Sequence, residues 1–294
     1  MASMKEIKRR RASIQSTSQI TKAMKLVSTV KLQKSRSKAE QSKTYFTLMH
    51  ETISSILEKS SGLDHKYLKL NKTGKKAVIV ITANRGLAGG YNNNIIKLVS
   101  SKLDKNDTLV YSIGKKGEDG LKRKGYEIVG EYPEIINSPL YQDASDITKL
   151  LLEEFEKGIV SEIYLAYTGF KNTVVHIPTF LKLLPISSKD IDFNSEQANG
   201  VEKTEHSYKS QMNYSPNEEE VLNAIVPKYM ASIIFGALQQ SVASENGARM
   251  TAMENATNNA KELIEELGLS YNRARQGAIT QELTEIVAGA NAIS

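Results

Sequence analysis

Between Lys5 and Lys59 the chain contains neither proline nor glycine. Some fifty residues dominated by strong helix formers read as one helix. At 1.5 Å per residue such a helix would extend about 75–80 Å. That is longer than a domain of this mass is wide, so the sequence predicts that part of it projects. Its apolar positions include Ile20, Met24, Val27 and Val30, then Tyr45, Leu48, Ile53 and Leu57. They form a narrow stripe, thinnest between Lys31 and Lys43, and the stripe is the expected contact seam.

A second helical signal fills the chain from Glu218 onward. Ser215 is the expected N-cap, Pro216 the first helical residue, and Glu218–Glu220 place acids in the first turn. Pro227 is expected to kink the start. A seam at spacings of three and four runs through Phe235, Leu238, Val242, Ala252, Ala256, Leu263, Leu267 and Ala274, interrupted by Glu245 and Arg249. That is coiled-coil periodicity. Gly236, Gly247, Gly268, Gly277 and Gly289 each cost up to ~1 kcal/mol against alanine in a helix interior, which close packing against other backbones would tolerate. Pairing the two terminal helices antiparallel satisfies both stripes.

Residues 75–200 differ in character. AVIVIT (77–82), TLVYSI (108–113), YEIVGEY (126–132) and EIYLAYT (162–168) read as strands, with helical patterns at 92–103, 115–124 and 141–157. Alternating strand and helix predicts a mostly parallel sheet covered on both faces. Residues 170–186 carry β-type residues with Pro178 and Pro185, the mark of an edge strand or hairpin. Residues 187–216 read as a polar loop with a short strand near Tyr208–Tyr214. The expected fold class is α/β plus a long antiparallel α-helical coiled coil. A Rossmann-like parallel-sheet domain (75–200) is inserted between an N-terminal helix (1–60) and a C-terminal helix (215–294) that pairs with it.

The overall charge of +6 is uneven. Residues 1–43 hold twelve basic and two acidic side chains, a net of +10, which leaves the other 251 residues at about −4. Such an arm needs an anionic partner: nucleic acid, lipid or an acidic protein surface. The basic start, MASMKEIKRRR, is followed by no apolar segment, which argues against a secretory signal. The longest apolar run has the length of a strand, well short of the ~20 residues of a spanning helix. There are no cysteines, so disulfides, thiolate metal sites and cysteine nucleophiles are excluded.

Catalytic chemistry finds little support. The loop in AVIVITANRGLAGGYNNN lies between strand and helix, where phosphate can sit. Its glycines, Gly86, Gly89 and Gly90, do not match the G-x-G-x-x-G fingerprint, and no P-loop occurs. A tight turn without nucleotide is the favoured reading, since βα turns use glycine for conformation. His50, His65, His176 and His206 have no ligand spacing, so no metal or cofactor is expected. Glu282 and Glu285 stand one turn apart as a solvated face would. An enzyme built on the α/β domain and a basic nucleic-acid binder remain as rival classes. The second lacks aromatics for base stacking within residues 1–43.

Two stretches point elsewhere: ASIQSTSQITKAMKLVSTVKLQKSR (12–36) and VASENGARMTAMENATNNAKELIEELGLSYNRARQGAITQELTEIVAGA (242–290). With the TANRGLAGGYNNN loop they closely resemble the gamma-subunit family of F-type ATP synthases. The resemblance spans essentially the whole chain and is most specific at its two ends. It implies a non-catalytic central rotor of a proton-translocating complex, one copy per complex. The implied partners are a hexamer of alternating alpha and beta subunits, the epsilon subunit and the membrane c-ring, with no nucleic acid. The implied setting is the cytoplasmic face of a bacterial cell membrane. By the same resemblance Met24, Arg249, Arg275, Gln276, Thr280 and Glu282 face the catalytic subunits, Met24 as a close-packed pivot and the last four as polar grips. The basic arm would meet acidic loops of beta subunits. Two residues depart from the family pattern: Arg11 where an aliphatic side chain is usual, and Gly277 where alanine is common. The chain also lacks the cysteine-bearing insert of chloroplast relatives.

Overall fold

A computed structural model describes residues 4–59, 65–69, 71, 73–186 and 218–293. Helix α1 runs Met4–Lys59 and the C-terminal helix, α5, runs Glu218–Ile293. Between them come β1 (Lys75–Ile81), α2 (Tyr91–Lys102), β2 (Thr108–Ile113), α3 (Lys115–Lys122), β3 (Glu127–Glu131), α4 (Tyr141–Glu156), β4 (Val160–Phe170) and β5 (His176–Leu184). The predicted N-cap at Ser215–Pro216 and the strand near Tyr208–Tyr214 lie outside the described residues. Pro227 sits inside α5, which continues through it. By packing, the chain divides into two compact units: Met1–Ser28 with Arg249–Ser294, and Thr29–Ala248. Each terminal helix contributes to both.

In the Thr29–Ala248 unit the sheet order is β3-β2-β1-β4-β5. The first four strands are parallel and β5 runs antiparallel to β4. Pro178, which has no N–H to give, is tolerated because β5 is an edge strand. Residues of β1 alternate between two cores, as the period of a strand requires. Ala77, Ile79 and Ile81 join Tyr111, Ile147, Leu151 and Phe155, together with Ile53 and Ile56 of α1 and Leu222, Val226, Ile234 and Leu238 of α5. Val78 and Val80 join Ile95, Ile96 and Val99 of α2 and Leu121 of α3. The helices thus cover both faces, which explains why β1 and β2 are apolar along their length. Tyr111 reaches the edge of its core and donates its hydroxyl to the Glu154 carboxylate. By length and composition one window of α5 could span a membrane, but more than half of it is buried within the chain, as in a core helix.

The expected helix seams need correction. Ile20, Val27 and Val30 are 60%, 57% and 65% exposed, and Leu48 and Leu263 are exposed too. Ile53 and Leu238 are buried, while Met24, Phe235, Val242, Ala252, Ala256, Leu267 and Ala274 are half-buried. The side chains of Tyr45 and Leu57 lie outside the described residues. The residues that α1 does bury include Thr21, Ser28, Leu32 and Ser35, one position on from the apolar stripe. One residue is about 100° around a helix, so the apolar stripe lies on a neighbouring face. The helical glycines also divide. A Cβ on Gly247 would come 2.8 Å from His176 Cε1, whereas Gly268, Gly277 and Gly289 face open space within this chain.

One charged pair ties the edge strand to its neighbour and another ties Lys66 to the end of α4. Burial alone would push the Glu162 carboxyl up, but Lys182 at 2.7 Å and the Tyr164 hydroxyl at 3.0 Å outweigh it and hold it below the usual range. Lys66, the main influence on Glu156, likewise lowers that carboxyl.

A carboxyl depressed in the folded state adds stability above its unfolded pKa, near ~4.3, and loses that contribution as pH falls through the folded value. Lys182→Met should therefore lower the urea midpoint at pH 7 and flatten the loss of stability below pH ~4.5, measured as urea midpoints across a pH series. Gly114 has φ +99° and a Cβ there would meet the Thr82 carbonyl oxygen at 2.1 Å. Gly114→Ala should cost roughly 1–3 kcal/mol, while Gly268→Ala, in open space, should gain up to ~1 kcal/mol; urea denaturation of the isolated chain measures both.

Candidate functional site

The unit formed by the chain's two ends is an antiparallel helix pair. Its register is set by two cross-helix contacts: Thr21 Oγ1 lies 2.7 Å from Thr257 Oγ1, and Lys25 Nζ donates to Glu254 Oε1 at 2.6 Å. Thr257 donates its single proton to the Met253 carbonyl at 2.7 Å. Thr21 is then the donor across the seam, and its longer contact to the Ser18 carbonyl, 3.1 Å, goes unused in that arrangement. Ser28 likewise turns back to the Met24 carbonyl at 2.8 Å.

A heptad series of buried and half-buried positions runs along each helix, with other half-buried residues such as Met24, Ala252 and Ala256 beside it. On α1 the series is Ile7, Ile14, Ser18, Thr21, Lys25 and Ser28. On α5 it is Met250, Met253, Thr257, Ala260, Ile264, Leu267, Tyr271, Ala274 and Ala278. Carrying the antiparallel register along sets Ile14 across from Ile264 and Met4 across from Ala274. Arg11 occupies the seam position between Ile7 and Ile14, yet it is exposed, so the seam lacks a knob there.

The seam thus mixes hydroxyl side chains with apolar ones, while a second set of apolar side chains faces out. Ile20, Leu26 and Val27 are exposed on α1. On α5 every described residue from Ile279 to Asn291 is exposed, with Ile279, Leu283 and Ile286 on one face at spacings of four and three. Contiguous exposed apolar surface of this kind marks an interaction site.

The six residues singled out from the sequence all fall in this unit, in two groups. Met24 and Arg249 are half-buried, and Arg249 is already engaged within the chain. Arg275, Gln276, Thr280 and Glu282 are exposed on the part of α5 that continues past the register partner of Met4. About 40 Å of helix separates Arg249 from Arg275. Local bonds on this stretch run along the helix: Thr284 donates to the Thr280 carbonyl at 2.8 Å and Gln281 to Glu285 at 2.9 Å. The sequence reading missed Leu87, an exposed leucine at φ +62° on the tip of the glycine loop.

The glycine loop is occupied by the chain itself. In open α/β sheets a ligand binds beyond the strand C-termini, at the point where strand order reverses. Here that point lies between β1 and β4, and α5 fills it. Tyr91 donates its hydroxyl to the Ser241 carbonyl (3.2 Å), Ser244 donates to the Thr168 carbonyl (3.1 Å), and Ala248 packs on Ala83, Ala88 and Tyr91. The Ala83 N–H is taken by Asn92, and Asn84 bridges to Lys115 N–H and the Pro133 carbonyl. The turn therefore serves to seat a helix. His65 is buried with Nδ1 accepting the Tyr67 N–H at 3.3 Å, and His176 stacks on Phe170. Among the described residues no three His, Asp or Glu side chains could hold a metal ion. His206 and the side chain of His50 lie outside the described residues.

A family model described as ATP synthase matches residues 3–293. An ATP synthase gamma chain from Lachnoclostridium phytofermentans is 58% identical over 295 residues, covering 100% of both chains. One from Alkaliphilus metalliredigens is 44% identical, covering 99% of this chain and 98% of its own. Among solved structures, the central stalk/c-ring of the Tetrahymena thermophila mitochondrial ATP synthase aligns with a TM-score of 0.59 at 25% identity, covering 81% of this chain and 99% of that one.

The hydroxyl pair across the seam is testable by a double-mutant cycle. Thr21→Val and Thr257→Val should show a coupling energy of about 1 kcal/mol in chemical denaturation, and additivity would show that the pair adds nothing.

Proposed function

The chain belongs to the ATP synthase gamma-chain family, and from that premise we propose how its helix pair does the work of a rotor. It is the central-stalk subunit of an F-type ATP synthase, non-catalytic in itself, and part of a membrane-associated complex. The observation that carries the reading is the apolar surface the helix pair leaves exposed: Ile20, Leu26 and Val27 of α1 and Ile279, Leu283 and Ile286 of α5. A soluble coiled coil standing alone would place its apolar stripe inward. This one offers the stripe to a surrounding surface.

On this reading the helix pair runs within a hexamer of alternating alpha and beta subunits, while the α/β domain meets the epsilon subunit and the c-ring. Ion flow turns the ring and the shaft with it. Each catalytic site then meets a different face of the shaft in turn. Such a face changes a site only through differential affinity for its conformations, and the resulting coupling is reciprocal between shaft angle and bound nucleotide. Arg275, Gln276, Thr280 and Glu282 are the directional grips, since they project from an end of α5 that the chain leaves bare. Met24 is the close-packed pivot and Arg249, held within the chain, a stiffened contact beside it. The basic residues of α1 meet acidic loops. The complex sits on the cytoplasmic face of a bacterial membrane, a setting supported by the bacterial origin of the full-length relatives.

Reconstitution with alpha and beta subunits tests this. Steady ATPase activity should require all three chains, and a probe on the α/β domain should turn during hydrolysis; activity independent of this chain would end the proposal. Joint alanine replacement of Arg275, Gln276, Thr280 and Glu282 should lower turnover several-fold with the isolated chain's thermal midpoint unchanged, because surface substitutions usually shift stability by less than ~0.5 kcal/mol. Wild-type turnover in that variant would remove these four from the contact.

A further inference from the structure

The seat of α5 on the sheet is built from directional contacts. Three polar ties bind it. The Tyr91 hydroxyl donates to the Ser241 carbonyl at 3.2 Å, Ser244 Oγ donates to the Thr168 carbonyl at 3.1 Å, and the Thr168 N–H donates to Ser241 Oγ at 3.4 Å. A close approach adds to them: Gly247 lies against the His176 ring, where a Cβ would fall 2.8 Å from Cε1. Ser241 and Ser244 are fully buried. Together with Ala248 they mark one face of α5 at spacings of three and four.

Every polar tie involves main-chain atoms of the helix or of β4. The aliphatic core resists rolling of the helix through close packing, but the apolar attraction itself sets no preferred angle. Hydrogen bonds weaken steeply with misalignment, so these ties resist rolling. They also stand just before Arg249, where the part of α5 that pairs with the start of α1 begins. A load about the axis of α5 that enters through the sheet reaches that part through these contacts.

We propose that this clasp, Tyr91, Thr168, Ser241, Ser244 and the Gly247–His176 contact, is the torsional joint through which torque passes between the α/β domain and α5. The proposal rests on the rotor reading above and adds to it where in the chain rotation is handed on. A crevice that holds a ligand in other sheets of this topology here holds the shaft by its backbone.

The test uses the assembled complex. The chain has no cysteine, so Val129→Cys on the exposed edge strand gives a single attachment point for a bead. With the hexamer immobilised and stalled by a non-hydrolysable ATP analogue, the bead's angular variance reports torsional stiffness. Tyr91→Phe keeps the ring and removes only its hydroxyl, and Ser244→Ala removes only a second tie. Together they should widen the variance by roughly half or more, the scale expected when two of three ties in one network are lost. Gly247→Ala, which displaces the His176 ring, should widen it as well. Gly268→Ala, in open space on the same helix, should leave it unchanged. An unchanged variance in the Tyr91/Ser244 double variant, or an equal rise in Gly268→Ala, would overturn the joint. Failure of the unsubstituted bead to turn with ATP would instead overturn the rotor reading itself.

Discussion

The pairing of α1 with α5 depends on a register that two short contacts fix, Thr21 to Thr257 and Lys25 to Glu254. A seam that mixes Ile7, Met253 and Ile264 with Ser18, Thr21, Ser28, Thr257 and Ala260 buries less apolar area than a leucine seam. At ~25 cal/mol per Å² it contributes correspondingly less, and a hydroxyl bond adds only about 1 kcal/mol net. The pairing therefore draws on another source. Ile53 and Ile56 of α1 share a core with Leu222, Val226, Ile234 and Leu238 of α5. Once the two helices are joined there, their remaining lengths meet at high effective concentration. A weaker seam then suffices for alignment, and apolar residues such as Ile20 and Val27 are left for the outer face.

That division of labour explains which parts of the architecture were legible in the sequence. Strand β2 lies at Thr108–Ile113, the residues its pattern marks, and Pro178 announced the edge strand. Both signals report local backbone chemistry. The helix seam was misplaced because hydrophobicity marks a residue as destined for burial without saying by what. On α1, where Met24 and Lys25 are both half-buried, the apolar residues Ile20 and Val27 are exposed, one residue from buried Thr21 and Ser28. No intrachain rule separates them, since the first stripe answers to a partner and the second to α5. The exposure of α5 from Ile279 onward was not legible, because its alternation of Arg275, Ile279, Glu282 and Leu283 fits an ordinary amphipathic helix as well.

The glycine loop shows a different limit. Its order of strand, loop and helix is that of a phosphate site, and the sheet topology behind it is of the ligand-binding kind. What decides the matter lies some 150 residues away, in Ser241, Ser244 and Ala248. Two serines three apart with a small residue four further on are a weak sign that a helix will be gripped closely. Only their placement against Tyr91 and Thr168 turns them into the occupant of the crevice.

Inner and outer surfaces of the helix pair then follow one physical distinction. Apolar contact is attractive without preferring an angle, so a stripe such as Ile279, Leu283 and Ile286 can hold a shaft centred while permitting it to turn. Hydrogen bonds and charged grips prefer an angle, so they belong where angle must be sensed or transmitted. Two such places stand out on the proposed reading. Exposed Arg275, Gln276, Thr280 and Glu282 are the proposed grips on surrounding subunits, and buried Tyr91, Thr168, Ser241 and Ser244 stand where α5 meets the sheet. Between them lies a seam whose serine and threonine hydroxyls mostly turn back to their own helix. A chain arranged in this way separates the tasks of staying centred, turning and passing on torque, and assigns each to the class of interaction whose angular dependence suits it.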